Sequence, residues 1–561
     1  MASRLLTPGV LFILTSLPKL ILPSSIAYLA CNFVKLSRWG CIVASVSAGP
    51  IWLWARSKYI YFVEEREMSA LGAVRVPVVH GKWPGNLDLL LGRLKQGKDG
   101  YPFDAVEPMI RRYGKTFNTR ILGENRIVTL DPAHIQRMFA TDFEGWEKGD
   151  KFRRQMGSVF GLGVFMSDGD MWKFHRSMTR PFFSRDRISN LEIFSRHCED
   201  ALSILKSSQG VAFDYQDIAF RFTLDSAAEF LFGVRVDSLR GDEASQSLGP
   251  ALSALQHQLA QRSRTAPLWP LFELKGDKTR QNLEVVRGFI KPIIKAALEK
   301  KDIMNQGSSE ANETLLDELV GLTTDPELII DQTMNVLFAG RDTTAATITF
   351  LTYCLATHPP VLARLRAEIL SHIGDIRTPT FDDIKQMKLL RATINETLRL
   401  FPPVPGNVRS AVKSTTLPSN IPGTKPYYIP AGTKVPFSIM SMHKSKEYWG
   451  EDADMWDPDR FLDDRNQRLV SNPFIFLPFS AGPRICLGQQ FAYQEISFFI
   501  IRILQSFESI ELAPDAQPPE SLPPASWANG TGRKRIEKIR PKSDLTMSVQ
   551  GGLWLRLKSR L

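Results

Sequence analysis

A chain that contains a long helix with no polar face must wrap the rest of itself around that helix. Residues 325–358 make such a helix. Asp325 supplies a capping side chain, and Pro326 suits the first helical position, where a missing N–H costs nothing. The helical pattern runs to the "HPP" at residues 358–360, which stops it. At 1.5 Å per residue the helix is roughly 50 Å long. Within it, "TMNVLFAG" and "AATITFLTYCLA" are apolar on all sides, so it passes through a core rather than over a surface. The material for that core is present, since 43% of the 561 residues are hydrophobic. Beyond about residue 100 there is no low-complexity linker and no internal repeat, so the body reads as one large domain, mainly α with small β-sheets. "TFNTRILGENRIVTL", residues 116–130, predicts a hairpin turning at residues 123–125. Residues 388–400 predict a helix that ends before "FPPVP". Residues 545–557 predict a final hairpin turning at Gly551 and Gly552.

The middle of the long helix breaks its own pattern with "AGRDTT", residues 339–344. Gly340 costs about 1 kcal/mol relative to alanine there. The Thr343 hydroxyl can bond the carbonyl of Ala339, four residues back, and bend the helix. The gap left by such a bend has room for dioxygen and water, and Asp342 is a proton donor for them. The plainer alternative is a kinked helix with one solvated acid.

Cysteine is scarce: five residues, with no disulfide framework and no paired CxxC pattern, as in a reducing compartment. One of them, Cys486, stands in "FSAGPRICLGQ". Gly482 allows φ > 0 and a tight turn, and Gly488 lets a helix approach a flat ligand closely. The following "QQFAYQEISFFIIRILQSF" is helical, so Cys486 precedes a helix N-terminus, whose N–H groups and dipole favour a thiolate. Arg484 can pair with an anionic group on a ligand edge. A thiolate in such a loop is a ligand for haem iron. For the cysteine alone, a buried structural thiol is the alternative. Two other motifs gain meaning beside it. "ETLR" sets Glu396 and Arg399 on one helical face, and "DPDRF" offers Arg460 to complete a buried, structural ionic cluster. "WKFHR" sets Trp172 and Arg176 four apart, an indole N–H and a guanidinium that suit a carboxylate.

In this order and spacing the four motifs resemble those of the cytochrome P450 haem-thiolate monooxygenases, from about residue 100 to the end. The wording around the cysteine, with "MHKSKEYWGEDADMW" upstream, looks most like the fungal membrane-bound branch that oxidises alkanes, fatty acids and other lipophilic compounds. The resemblance implies a cytochrome P450 fold carrying haem b, with Cys486 as the axial iron ligand and Phe479 packed beside the sulfur. It implies Trp172, Arg176, Arg409 and Arg484 at the haem propionates, and Asp342 and Thr343 steering protons during oxygen activation. Glu396, Arg399 and Arg460 would hold the proximal core. Small departures are Trp456, where the family often has Phe, and Arg341, a long cation inside the oxygen-binding helix. The implied reaction inserts one atom of O₂ into a lipophilic substrate: an alkane, fatty acid, terpenoid or polycyclic aromatic. No flavin or nicotinamide domain accompanies these motifs, so the electrons would come from a membrane-bound NADPH–cytochrome P450 reductase. The rival readings are an O₂-independent haem-thiolate isomerase or dehydratase of oxygenated lipids, against which Asp342 and Thr343 count, and a non-enzymatic haem-binding protein. The implied substrate pocket draws on residues 157–165, 338–343, 404–408 and 549–554, read as apolar and partly aromatic.

The formal net charge of +11 favours an anionic membrane surface or an acidic partner. No finger, basic zipper or RNA-recognition signature points to nucleic acid. The basic residues 173–187 would lie on the thiolate side and suit an acidic partner, while residues 532–542, "GRKRIEKIRPK", read as an exposed loop. Residues 1–56 read as a membrane anchor of one or two spans. The best span is residues 39–55, uncharged, with tryptophans near both ends and Arg56 and Lys58 following. Residues 5–34 are apolar but carry Lys19, Pro18 and Pro23. A buried or interfacial hairpin is the alternative. Residues 57–100 read as a tether and 101–561 as the catalytic domain. The anchor places the protein at the endoplasmic reticulum facing the cytosol, where the sequons at Asn312, Asn395 and Asn529 stay unused.

Overall fold

The computed structural model describes residues 6–184, 188–189, 191–241, 243–304, 314–419, 421 and 423–560. The expected long helix is Pro326–Thr357. The Asp325 carboxylate accepts the N–H groups of Glu327 and Leu328 at 3.0 and 3.4 Å and so begins it. Twenty-two of its 32 residues are buried, which makes it the axis of the molecule rather than a surface element. Helices Tyr215–Phe232, Gln489–Ser506 and Lys388–Leu400 pack against it. Two apolar clusters divide it between them. One takes Met334, Leu337 and Phe338; the other takes Ala345, Ile348, Phe350 and the residues beyond. They meet at residues 339–344, where the polar motif stands.

Small sheets close the body, as expected. Strands Thr116–Asn118 and Ile127–Thr129 pair antiparallel with Thr116 opposite Thr129, the predicted hairpin, and Gly123 takes φ 77° in its turn. They lie on one edge of a five-stranded sheet that continues through Lys434–Ser438 and Gly406–Ala411 to Trp146–Glu147.

Two expectations are corrected. The chain does turn at Gly551 and Gly552 (φ 71° and 87°), but residues 545–557 do not form a hairpin. Strand Met547–Val549 pairs with Pro541–Ser543, whereas Trp554–Ser559 pairs with Phe507–Leu512 and with Phe213–Asp214. Asp214 accepts the N–H of Leu553 at 2.9 Å and pulls the second strand to another sheet. Residues 532–542 are not an exposed loop: Arg533, Glu537, Ile539 and Arg540 are buried. The Arg533–Glu537 ion pair, at 2.6 Å, draws the segment inward, and Tyr353 donates to Glu537 at 2.7 Å. At the N-terminus two helices, Pro8–Phe33 and Arg38–Ala70, pack on each other. Among the described helices Pro8–Phe33 is the one long and apolar enough to cross a membrane, with mean hydropathy 1.7. Residues 39–55 fall inside the second helix, whose far end is built into the body: Glu67 accepts from Ser414 at 2.5 Å and from Tyr428 at 2.6 Å.

Candidate active site

The cysteine loop is shaped as its glycines predict. Gly482 takes φ 61°, and a Cβ there would lie 1.8 Å from the Phe139 carbonyl oxygen, so no other residue fits. The Cys486 N–H donates to the Phe479 carbonyl at 2.9 Å. Gly488 then caps helix Gln489–Ser506. The thiol opens onto a cavity, where the residue is exposed, yet protein surrounds it closely on its other sides. Burial pushes its pKa up, while the Gly488 N–H and the nearby Arg176 guanidinium pull it down. Arg176 donates to the Ile485 carbonyl at 2.9 Å, fixing helix Gly169–Thr179 beside the loop.

That cavity, about 860 Å³, brings together Cys486, Phe479, Arg484, Trp172, Arg176, Arg409 and Thr343. The Arg484 guanidinium lies 4.7 Å over the Trp172 ring and donates to Asp168 at 2.7 Å. Arg409 lies 4.1 Å over the Phe139 ring and donates to its neighbouring Val408 carbonyl at 2.8 Å. Burial and the Arg484 charge push Arg409 down to about 9. The Nε atoms of Arg409 and Arg484 are buried and without a hydrogen-bond partner. Such donors fit an anionic edge group such as a propionate. Lys148, which sequence reasoning missed, belongs with them. It bonds Asn407 Oδ1 at 3.1 Å, and burial with Arg409 and Arg484 nearby holds its ammonium well below the usual lysine range. A single lysine in "WEKGD" carries no signal that the sequence alone would show.

Asp342 and Thr343 part company. Thr343 lines the cavity, and its hydroxyl donates to the Ala339 carbonyl at 2.6 Å, the contact expected from the sequence, although the helix continues unbroken. The Asp342 carboxylate does not line this cavity. It turns to a second one of about 620 Å³, bonded to Arg341 at 2.7 Å and to the Gln256 amide. Burial raises its pKa, opposed by Arg341 and Gln256. Arg341 is the reason: its guanidinium is buried over the Phe220 ring at 4.8 Å and needs a counter-charge. Gln256 and Thr546 border both cavities and are bonded to each other at 2.7 Å.

The remaining motifs fall where their chemistry suggests. Arg399 and Glu396 form a fully buried, two-bonded pair at 2.7 Å, with Arg460 at 3.6 Å from the same carboxylate. Arg399 also donates to the carbonyls of His443, Ala453 and Met455. Residues 157–165, 338–343 and 404–408 supply cavity wall as expected, but of residues 549–554 only Gln550 does. The wall is also more charged than expected, since Arg93, Arg126 and Lys434 lie on it. Asn395 accepts from the Tyr493 hydroxyl at 2.7 Å. Asn312 and residues 185–187 of the basic stretch lie outside the described residues.

A cysteine loop, a threonine of the axial helix and a set of cations around one cavity agree with what comparison with known proteins finds. The cytochrome P450 family model matches residues 84–536. The chain belongs to the cytochrome P450 family. The relatives of this P450 include cytochrome P450 monooxygenase pvhE of Talaromyces variabilis, 35% identical over 71% of this chain and 76% of that protein. Cytochrome P450 52A12 of Debaryomyces hansenii is 34% identical over 81% and 89%. Cytochrome P450 monooxygenase himC of Aspergillus japonicus is 32% identical over 81% and 78%. As a P450, the protein is a monooxygenase that carries haem b through a cysteine thiolate and acts on a lipophilic substrate with O₂ and a reductase. The isomerase and non-enzymatic readings find no support in these relatives.

Proposed function

We propose that Cys486 would ligate the haem iron and that Lys148, Trp172, Arg176, Arg409 and Arg484 would hold the propionates. The carrying observation is that one cavity gathers the accessible thiol of a glycine-turned loop and buried guanidinium nitrogens that lack acceptors. Bound there, the haem supplies iron for O₂ activation, with the thiolate favouring O–O cleavage. The protein's part is to orient and to handle protons. Arg176 and the Gly488 N–H stabilise the Cys486 thiolate. Thr343 commits its own proton to Ala339, so its oxygen lone pairs are left to accept a hydrogen bond and hold a proton donor at the cavity wall. Asp342 serves this wall indirectly, as the acid of the adjoining polar cavity behind Gln256.

The substrate would be an alkane, fatty acid, terpenoid or polycyclic aromatic, held by the apolar side chains of Phe160, Phe338 and Val404. Helix Pro8–Phe33 would anchor the protein in the endoplasmic reticulum membrane with the body in the cytosol. Helix Gly169–Thr179, tied to the thiolate loop through Arg176, would receive an acidic, membrane-bound NADPH–cytochrome P450 reductase. The decisive measurement is turnover of lipophilic compounds with NADPH, reductase and ¹⁸O-labelled O₂. One labelled oxygen per product is expected; turnover of a hydroperoxide with no reductant would overturn this reading.

A further inference from the structure

Beyond the group around Asp168, the large cavity carries a second set of cations that neither the cofactor contacts nor the proton path uses. Arg93 comes from helix Leu87–Asp99, Arg126 precedes strand Ile127–Thr129, and Lys434 opens strand Lys434–Ser438. Arg126 and Lys434 face each other as a parallel bridge. The Lys434 side chain is buried, and its ammonium meets Gln155 Oε1 at 3.3 Å. Arg93 donates from Nη2 to Thr119 at 2.9 Å, while its Nη1 is buried without a partner. Among the described residues none of the three is ion-paired; the neighbouring Glu124 is taken by Lys151 at 2.8 Å. Burial and the Arg126 charge push Lys434 down to about 8 and hold Arg93 well below its usual range.

Crowding three cations onto one wall of a largely apolar cavity costs free energy, and an anion among them relieves all three at once. Two further cations of the cavity are not in this condition. Arg264 and Lys542 already pair with Asp544, at 3.4 and 2.8 Å. The propionate set is also separate: Arg409 lies opposite Val435 in the sheet, so Lys434 projects from the other face. The wall near these cations is otherwise lined by Met109, Phe117, Val128 and Met156.

We propose that Arg93, Arg126 and Lys434 bind the anionic head group, a carboxylate or sulfate, of a chain-like amphiphile whose apolar tail fills the rest of the cavity. Two guanidinium forks and an ammonium match such oxygens in number and geometry, whereas a neutral chain leaves the donors unsatisfied. This rests on the reading of the cavity as the substrate site.

The test uses the haem-loaded full-length protein and titrates dodecanoic acid, dodecyl sulfate and 1-dodecanol by the haem spin-state shift. In Arg126→Met and Lys434→Met, the affinity for the acid relative to the alcohol should fall by about tenfold or more, equivalent to roughly 1.4 kcal/mol. Arg126→Lys should retain most of that preference. Sulfate that falls with the acid marks a site for charge, and acid falling alone marks a carboxylate site; both uphold the proposal. Acid and alcohol weakening together, or neither weakening, overturns it, as does a wild-type protein that dodecanoic acid does not shift. Product formation with labelled O₂ separates the two levels. Oxidation of neutral chains with the acid ignored removes the head-group site alone, and no product from any compound removes the substrate reading with it.

Discussion

Replacing one sulfur by oxygen at residue 486 leaves the loop hydrogen bond from Cys486 N–H to Phe479 intact but removes the thiolate donor. Cys486→Ser should therefore abolish the red-shifted Soret band of the reduced carbon monoxide complex, read in a difference spectrum; an unchanged band would place the ligand elsewhere. Thr343→Ala should raise the share of NADPH electrons recovered as peroxide instead of product, because the cavity wall loses the hydroxyl that handles the proton. A third expectation concerns acid. His443 is fully buried: its Nε2 accepts the Leu477 N–H at 2.9 Å and its Nδ1 lies 3.2 Å from the Arg399 carbonyl. Burial and the Arg399 charge push its pKa down to about 3. Below the unfolded value of about 6.5, the unfolded chain binds a proton that the folded one refuses, so stability falls with falling pH, by about 1.4 kcal/mol per unit, down to the folded value. Urea midpoints between pH 7 and 5 should drop accordingly, and more shallowly in His443→Gln. Cys486 and Thr343 were legible because their chemistry is written in adjacent residues. Lys148 and His443 were not, since each depends on a partner more than 30 residues away; nor was the outward turn of Asp342, since it follows from the burial of its neighbour Arg341 against the distant Phe220 ring.

Elements answered the sequence best where one segment decides its own fate. The axial helix carries its cap and stop signals and its apolar faces in one run, and it forms as read. The last strands do not: Trp554–Ser559 joins whichever edge is free, and that edge belongs to residues 213–214 and 507–512. The burial of residues 532–542 was hidden for the same reason, because Glu537 sits 184 residues from Tyr353. Helix Lys388–Leu400 gives the clearest mutational expectation. Arg399 gathers three carbonyls from the segment 443–455 and two carboxylate bonds from Glu396, all in the dry interior. Glu396→Ala leaves that guanidinium uncompensated and should cost about 3–5 kcal/mol, read as a lower urea midpoint with loss of haem. An unaffected midpoint would mean that water reaches the cluster.

At the scale of the molecule, the boundary proposed between anchor and body lies inside a helix. Helix Arg38–Ala70 begins among exposed apolar residues and ends with Glu64 on Arg75, at 2.6 Å, and Glu67 on Ser414 and Tyr428. A variant lacking residues 1–56 should leave the membrane fraction and keep its haem, while one lacking residues 1–70 should lose haem on purification. Equal behaviour of the two would show that the carboxylate ties carry no weight. Strand pairing adds a consequence in time. Asp214 receives its partner Leu553 from 339 residues further along the chain. At roughly 5–20 residues per second of synthesis, that partner emerges about 20–70 s later. The Phe213–Asp214 strand must wait on the ribosome with its edge unpaired, so this sheet closes only after residues 553–555 have emerged.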